Sequence, residues 1–225
     1  MAISKQPVSS FHPGYGCVIM LAAMAIFGGI VFWAGYSLLT QNREIDQFTV
    51  AEPAAWPTDA PAAASVEAFQ GRLTAFSRAA RDGKSAELTL SVADLNTLVA
   101  LAPDLGNGTY QGMVRFTGTD PEKQTLLADI SLPLNTLKFW EGKKRYLVGT
   151  AHFHVEELEN GPDLRIVEIE VPGKTVPAGF VDTQQVWTWL TPFRTDPVID
   201  ATLAAVRSVR VTESGVSLST TATSP

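Results

Sequence analysis

"QTLLADISLPL" runs from Gln124 to Leu134. Its apolar residues Leu126, Ala128, Ile130 and Leu132 take every second position, with Asp129 and Ser131 between them. A period of two is that of a strand with one buried face, because successive side chains of a strand point to opposite sides of the sheet. Upstream, Thr109 to Thr117 places Tyr110, Val114 and Phe116 on one face. Downstream, Arg145 to Glu157 does the same with Leu147, Ala151, Phe153 and Val155, and a fourth run, "LRIVEIEV", starts at Leu164. In that run the apolar phase slips between Ile166 and Val167, which predicts a bulge or a stretch covered on both faces. The links "TDPEK", "WEGKKR" and "ENGPD" carry the Gly, Pro and Asn of turns, so the four runs read as an antiparallel meander.

Helical periods flank the meander. "VEAFQGRLTAFSRAARDG" follows Ser65, a candidate N-cap; Val66, Phe69, Leu73 and Phe76 recur at three- and four-residue spacing, and Gly83 is placed to close the helix. "ELTLS" from Glu87 is a short strand, and Ser91 with Asp94 resembles a capping box opening a helix through "VADLNTLVALA". After the meander, "PAGFVDTQQVWTWL" from Pro177 and "PVIDATLAAV" from Pro197 read as two further helices, each with Pro at a first helical position. "VRV" and "VSLS" around Gly215 close the chain as a hairpin. The expected class is α+β: a curved antiparallel β-sheet packed with about four helices, behind one N-terminal transmembrane helix.

That first helix comes from "GYGCVIMLAAMAIFGGIVFWAGYSLL", Gly14 to Leu39, which contains no charged residue. Residues 16–39 would make a helix of about 36 Å, longer than the roughly 30 Å of a hydrocarbon core. A cleaved signal peptide has a shorter apolar region ending at a small-x-small site, and none follows here. Cys17 opens the run instead of following it, which argues against lipidation, and as the single cysteine it excludes an intrachain disulfide. Residues 1–15 form a tail expected on the cytoplasmic side of an inner membrane. Ala25 and Gly29 form a small-xxx-small pair of the kind that packs helices together, so a homodimer or a membrane-protein partner is in view. Residues 40–64 contain "AEPAAWPTDAPAAA", with three Pro and seven Ala, and read either as a semi-rigid stalk or as a loop packed on the domain through Trp56. Residues 65–225 are the expected extracytoplasmic domain.

Beyond residue 43 the chain has 15 basic and 23 acidic residues, a net charge of −8, which opposes binding to nucleic-acid phosphates. In "HFHVE", His152, His154 and Glu156 share a strand face. The trio spans about 13 Å, too far for one ion, so no metal and no cofactor is expected. "PGKT" at Pro172 lacks the Gly that a phosphate loop needs, since Glu168 takes its place. No serine sits in a nucleophile-elbow context, and the expectation is a protein that is not an enzyme. The helix from Pro177 carries Phe180, Val181, Trp187, Trp189 and Leu190, more apolar surface than one stripe requires, and these residues are the candidates for an apolar groove that takes a ligand such as a lipid. The competing expectation is an accessory subunit of a membrane complex.

The segment "ELTLSVADLNTLVA", with its core at Leu88 to Leu98, resembles YpmS-type membrane-anchored proteins, where a comparable "LT…xLN.L" stretch follows a single N-terminal helix. The resemblance implies an extracytoplasmic domain with an apolar interior groove, and it carries over no catalytic residue.

Overall fold

A computed structural model describes residues 13–56, 62–101, 110–134 and 144–220. The chain divides into two compact units, residues 1–47 and 48–225.

The first unit is helix α1, Pro13–Phe48, whose last residue belongs to the second unit. Within α1, the 23 residues Tyr15–Ser37 are long and apolar enough to cross a bilayer, and none of the most apolar window is buried. Ala25 and Gly29 lie exposed one turn apart.

The second unit is α+β, with antiparallel strands throughout. It contains α2 (Ala63–Arg81), β1 (Glu87–Ser91), α3 (Val92–Leu101), β2 (Val114–Asp120), β3 (Thr125–Pro133), β4 (Tyr146–Leu158) and β5 (Gly161–Glu170). Then come α4 (Ala178–Gln185), a 3-10 turn (Thr191–Thr195), α5 (Pro197–Ala205), β6 (Ser208–Thr212) and β7 (Gly215–Ser219). The strands form two sheets instead of one. The meander is β2-β3-β4-β5, and the second sheet is β1-β7-β6, because the final strand pairs with β1 from Glu87↔Ser219 to Ser91↔Gly215.

The alternation in Gln124 to Leu134 is the burial pattern of β3: Leu126, Ala128 and Ile130 are almost fully enclosed, as are Phe153 and Ala151 opposite the first two on β4, and Leu147 opposite Leu132. The phase slip in β5 is a bulge. Ile166 pairs with Phe153 and Glu168 with His152, so Val167 is the extra residue and Ile166 and Ile169 both remain inward. Strand β2 is offset from the expected run at Thr109 to Thr117: Tyr110 lies in a turn before the strand, which starts at Val114 and continues past Thr117 to Asp120.

Caps explain several boundaries. Ser91 and Asp94 form the reciprocal box, with the Ser91 N–H donating to Asp94 Oδ2 at 2.9 Å and the Asp94 N–H donating to Ser91 Oγ at 3.1 Å. Helix α2 starts at Ala63, so Ser65 lies inside its first turn and is not its N-cap. It ends in a Schellman arrangement: Gly83, at φ +67°, donates to Ala80 and Lys84 donates to Ala79. Pro177 is the N-cap of α4, one residue outside the helix, whereas Pro197 does occupy the first turn of α5 behind the Asp196 cap.

The stretch read as a stalk is divided. Residues 40–47 continue α1, and residues 48–56 pack on the second unit. Phe48 meets the Phe180 ring at 5.0 Å, Val50 bridges to Tyr146, the Ala54 N–H donates to Ser131 Oγ, and Arg115 lies 5.8 Å from the Trp56 ring centre. Residues 57–61 lie outside the described residues, as do residues 102–109 and the link at 135–143.

Candidate functional site

The five groove candidates do not share one helix. Helix α4 ends at Gln185, before both tryptophans. The cause lies on β5, where the buried Asp163 carboxylate accepts the Leu164 N–H at 2.7 Å, the Leu190 N–H at 2.9 Å and the Thr191 hydroxyl at 3.3 Å. A carboxylate holding Leu190 and Thr191 from outside starts a new turn there, and the Trp189 N–H donates to Leu164 O at 3.1 Å along the β5 edge. Trp189 is thereby drawn into an aromatic cluster. Its ring lies 5.0 Å from Tyr110 and 5.1 Å from Phe153, and Tyr110 reaches Phe193 at 5.7 Å. The Tyr110 hydroxyl donates to Trp189 O, and burial, aided by the Asp163 charge, raises its phenol above the ordinary value. Trp187 is 65% exposed beside an exposed Val186, while Phe180, Val181 and Leu190 are half-buried.

An open cavity of about 460 Å³ lies elsewhere, between α2 and β1. Ala75, Phe76, Ala86 and Leu88 line it with Thr89, and Arg72 and Glu87 bring charge to it. Beside it runs the outer edge of β1, an end strand of its sheet. The direction of each backbone group follows from the pairing. Ala86 donates to Thr220 Oγ1 and accepts from the Thr220 N–H, so residues 86, 88 and 90 face β7, and residues 87, 89 and 91 face outward. Two of the outward groups are taken: Thr89 O accepts from Arg72 Nη1 at 3.1 Å and the Ser91 N–H donates to Asp94. The Glu87 N–H, the Glu87 carbonyl and the Thr89 N–H have no partner among the described residues. The alternation in "ELTLS" marks which residues face out, but nothing local in the sequence says that β1 ends its sheet.

Arg72 also pairs with Asp94. Burial alone would push the Asp94 carboxyl up, but the Ser91 N–H and hydroxyl and the Arg72 guanidinium together hold it below its ordinary value.

On the face of the meander opposite Phe153, His152, His154 and Glu156 do not converge. Glu156 pairs with Arg165, and His154 lies opposite Arg165 in the register. What approaches His152 is Glu168, directly across on β5, and Glu170, two residues further along the same face. His152 Nδ1 lies 3.7 Å from Glu168 and Nε2 lies 3.8 Å from Glu170. The three potential ligand atoms all lie within 4.8 Å of one another. The two glutamates escape a sequence reading because the bulge at Val167 sets which β5 residues face His152.

Compared with known protein families, curated proteins and solved structures, this chain has no match.

Proposed function

We propose that this protein is a non-enzymatic, single-pass accessory subunit of a cell-envelope membrane complex. Helix α1 anchors it in the inner membrane, and its extracytoplasmic domain captures an extended segment of a partner polypeptide along β1. One observation carries the reading: the unpaired Glu87 and Thr89 backbone groups lie beside a cavity of about 460 Å³. An extended segment added to a sheet edge gains affinity from main-chain hydrogen bonds and specificity from pockets for its alternate side chains. Here the edge offers two donors and one acceptor, and the cavity receives an apolar side chain over Phe76 and Leu88. The net acidic domain favours a partner segment without acidic residues. The likeness to YpmS-type proteins enters as a shared plan of one helix ahead of such a domain.

The apolar floor of Ala75, Phe76 and Leu88 favours a second reading, in which the occupant is a lipid acyl chain. A photoreactive side chain placed at Ala75 of the full-length protein in its own membranes separates the two. Partner capture predicts a crosslinked polypeptide that disappears in Thr89→Pro, because proline removes the outward N–H and leaves the β7 ladder intact. A lipid adduct that survives Thr89→Pro supports the lipid reading and rejects strand addition.

A further inference from the structure

We infer that His152, Glu168 and Glu170 form a binding site for a divalent first-row transition cation, with Zn2+ the natural probe. The His152 side chain is 10% exposed, and its Nδ1 is enclosed without a hydrogen-bond partner. Neither ring nitrogen is within hydrogen-bonding distance of its glutamate, at 3.7 and 3.8 Å. A buried imidazole with its Nδ1 enclosed and unsatisfied, next to two carboxylates, has the composition of a metal site. An enclosed polar atom left in that state is costly, and a cation at the ring's edge removes the cost while neutralising two adjacent negative charges.

The geometry suits an open site. His152 is fixed by the sheet, while Glu168 and Glu170 are 46% and 64% exposed and able to close on the ion by side-chain rotation. One imidazole and two carboxylates leave at least one coordination position for water, as in three-ligand zinc sites. The imidazole selects against Mg2+ and Ca2+, which take oxygen ligands. Lys123 is the built-in competitor, with its Nζ 3.4 Å from Glu168 Oε2. A bound cation takes over that carboxylate, so loss of Lys123 should strengthen binding.

The test is calorimetric titration of Zn2+ into the untagged full-length protein in detergent, with Co2+ absorption reporting the ligand field. The expected result is one equivalent bound, weakened about tenfold or more by Glu168→Gln and by Glu170→Gln. Lys123→Gln should tighten binding, and His154→Ala should leave it unchanged. These positions are at least partly exposed, so the variants keep the fold, which far-UV circular dichroism verifies. Absence of stoichiometric Zn2+ binding would overturn the inference. So would binding insensitive to both glutamate variants, or equal affinity for Mg2+.

Discussion

Strands β1 and β6 are the two ends of the same three-stranded sheet, and side chains from elsewhere in the chain close β6 far more fully. Along β6, the Gln124 amide accepts the Val211 N–H at 3.0 Å and donates to the Val211 carbonyl at 3.1 Å, and Glu157 accepts the Val209 N–H. The ends of the meander are treated like β6. Asn96 makes the same two-way contact with Phe116 of β2, at 2.8 Å in each direction, and the Trp189 N–H reaches Leu164 of β5. Unpaired edges are templates for association with other chains, and this molecule caps three of them with side-chain amides, a carboxylate or a folded-back segment. The fourth keeps three main-chain groups without a partner among the described residues, beside a cavity. That difference is what supports the proposal that β1 accommodates a further strand.

The comparison breaks most visibly if the β5 edge is opened. Asp163→Ala removes the acceptor that holds Leu164, Leu190 and Thr191, which should cost about 3 to 5 kcal/mol, since buried N–H groups are left unpaired. Urea unfolding of the full-length protein in detergent should show a large drop in midpoint with a coincident loss of near-UV ellipticity from Trp189. A midpoint near that of the parent protein would mean that Asp163 does not hold the edge closed.

A smaller effect sharpens the comparison on the three-stranded sheet itself. Gln124 sits at φ +53°, so Gln124→Gly removes the amide while relieving the backbone. The expected net loss is about 1 kcal/mol, from the two hydrogen bonds to Val211 and the one to the Pro121 carbonyl, partly offset by that relief. Amide exchange at Val211 should accelerate to the rate at Thr89, making β6 resemble β1. Unchanged protection at Val211 would show that the amide is not what closes β6.

Asp94 gives the smallest effect, and its sign follows from its carboxyl being held below the ordinary value of 3.8. The charged form is favoured by folding, so its contribution is present above about pH 4 and fades as acid protonates the folded state. Asp94→Asn should therefore cost about 0.5 to 1 kcal/mol at pH 7, and the gap to the parent protein should narrow below pH 4. Paired urea titrations at neutral and acidic pH check this, and a gap that widens in acid would reverse the assignment.

How much of this was legible depends on the range of the signal. The two-residue period from Gln124 to Leu134 maps directly onto one buried face of β3, and the phase slip at Ile166 and Val167 is a bulge because two inward residues there are separated by three positions instead of two. The Ser91–Asp94 box is equally local. The helix from Pro177 ends early because Asp163, 27 residues before Leu190, takes the Leu190 N–H. No periodicity within "PAGFVDTQQVWTWL" contains that information, so Trp187 and Trp189 read as neighbours on one surface although one is exposed and the other is packed on Tyr110 and Phe153. The second sheet was hidden for a similar reason: β1 finds its partner in β7, at the far end of the chain. The unpaired edge and the glutamates facing His152 are consequences of pairing order and register, which one strand's composition does not encode.

The most direct test of the open edge is residue-resolved amide hydrogen exchange of the full-length protein, first purified in detergent and then in the assembly released gently from its own membranes. The account predicts that Glu87 and Thr89 exchange rapidly in the purified chain while Leu88 and Leu90, bonded to β7, are protected. In the assembly, Glu87 and Thr89 should become protected as well. Protection of Glu87 and Thr89 already in the purified monomer would show the edge to be closed by the chain itself, and rapid exchange in both preparations would show that no strand is added there.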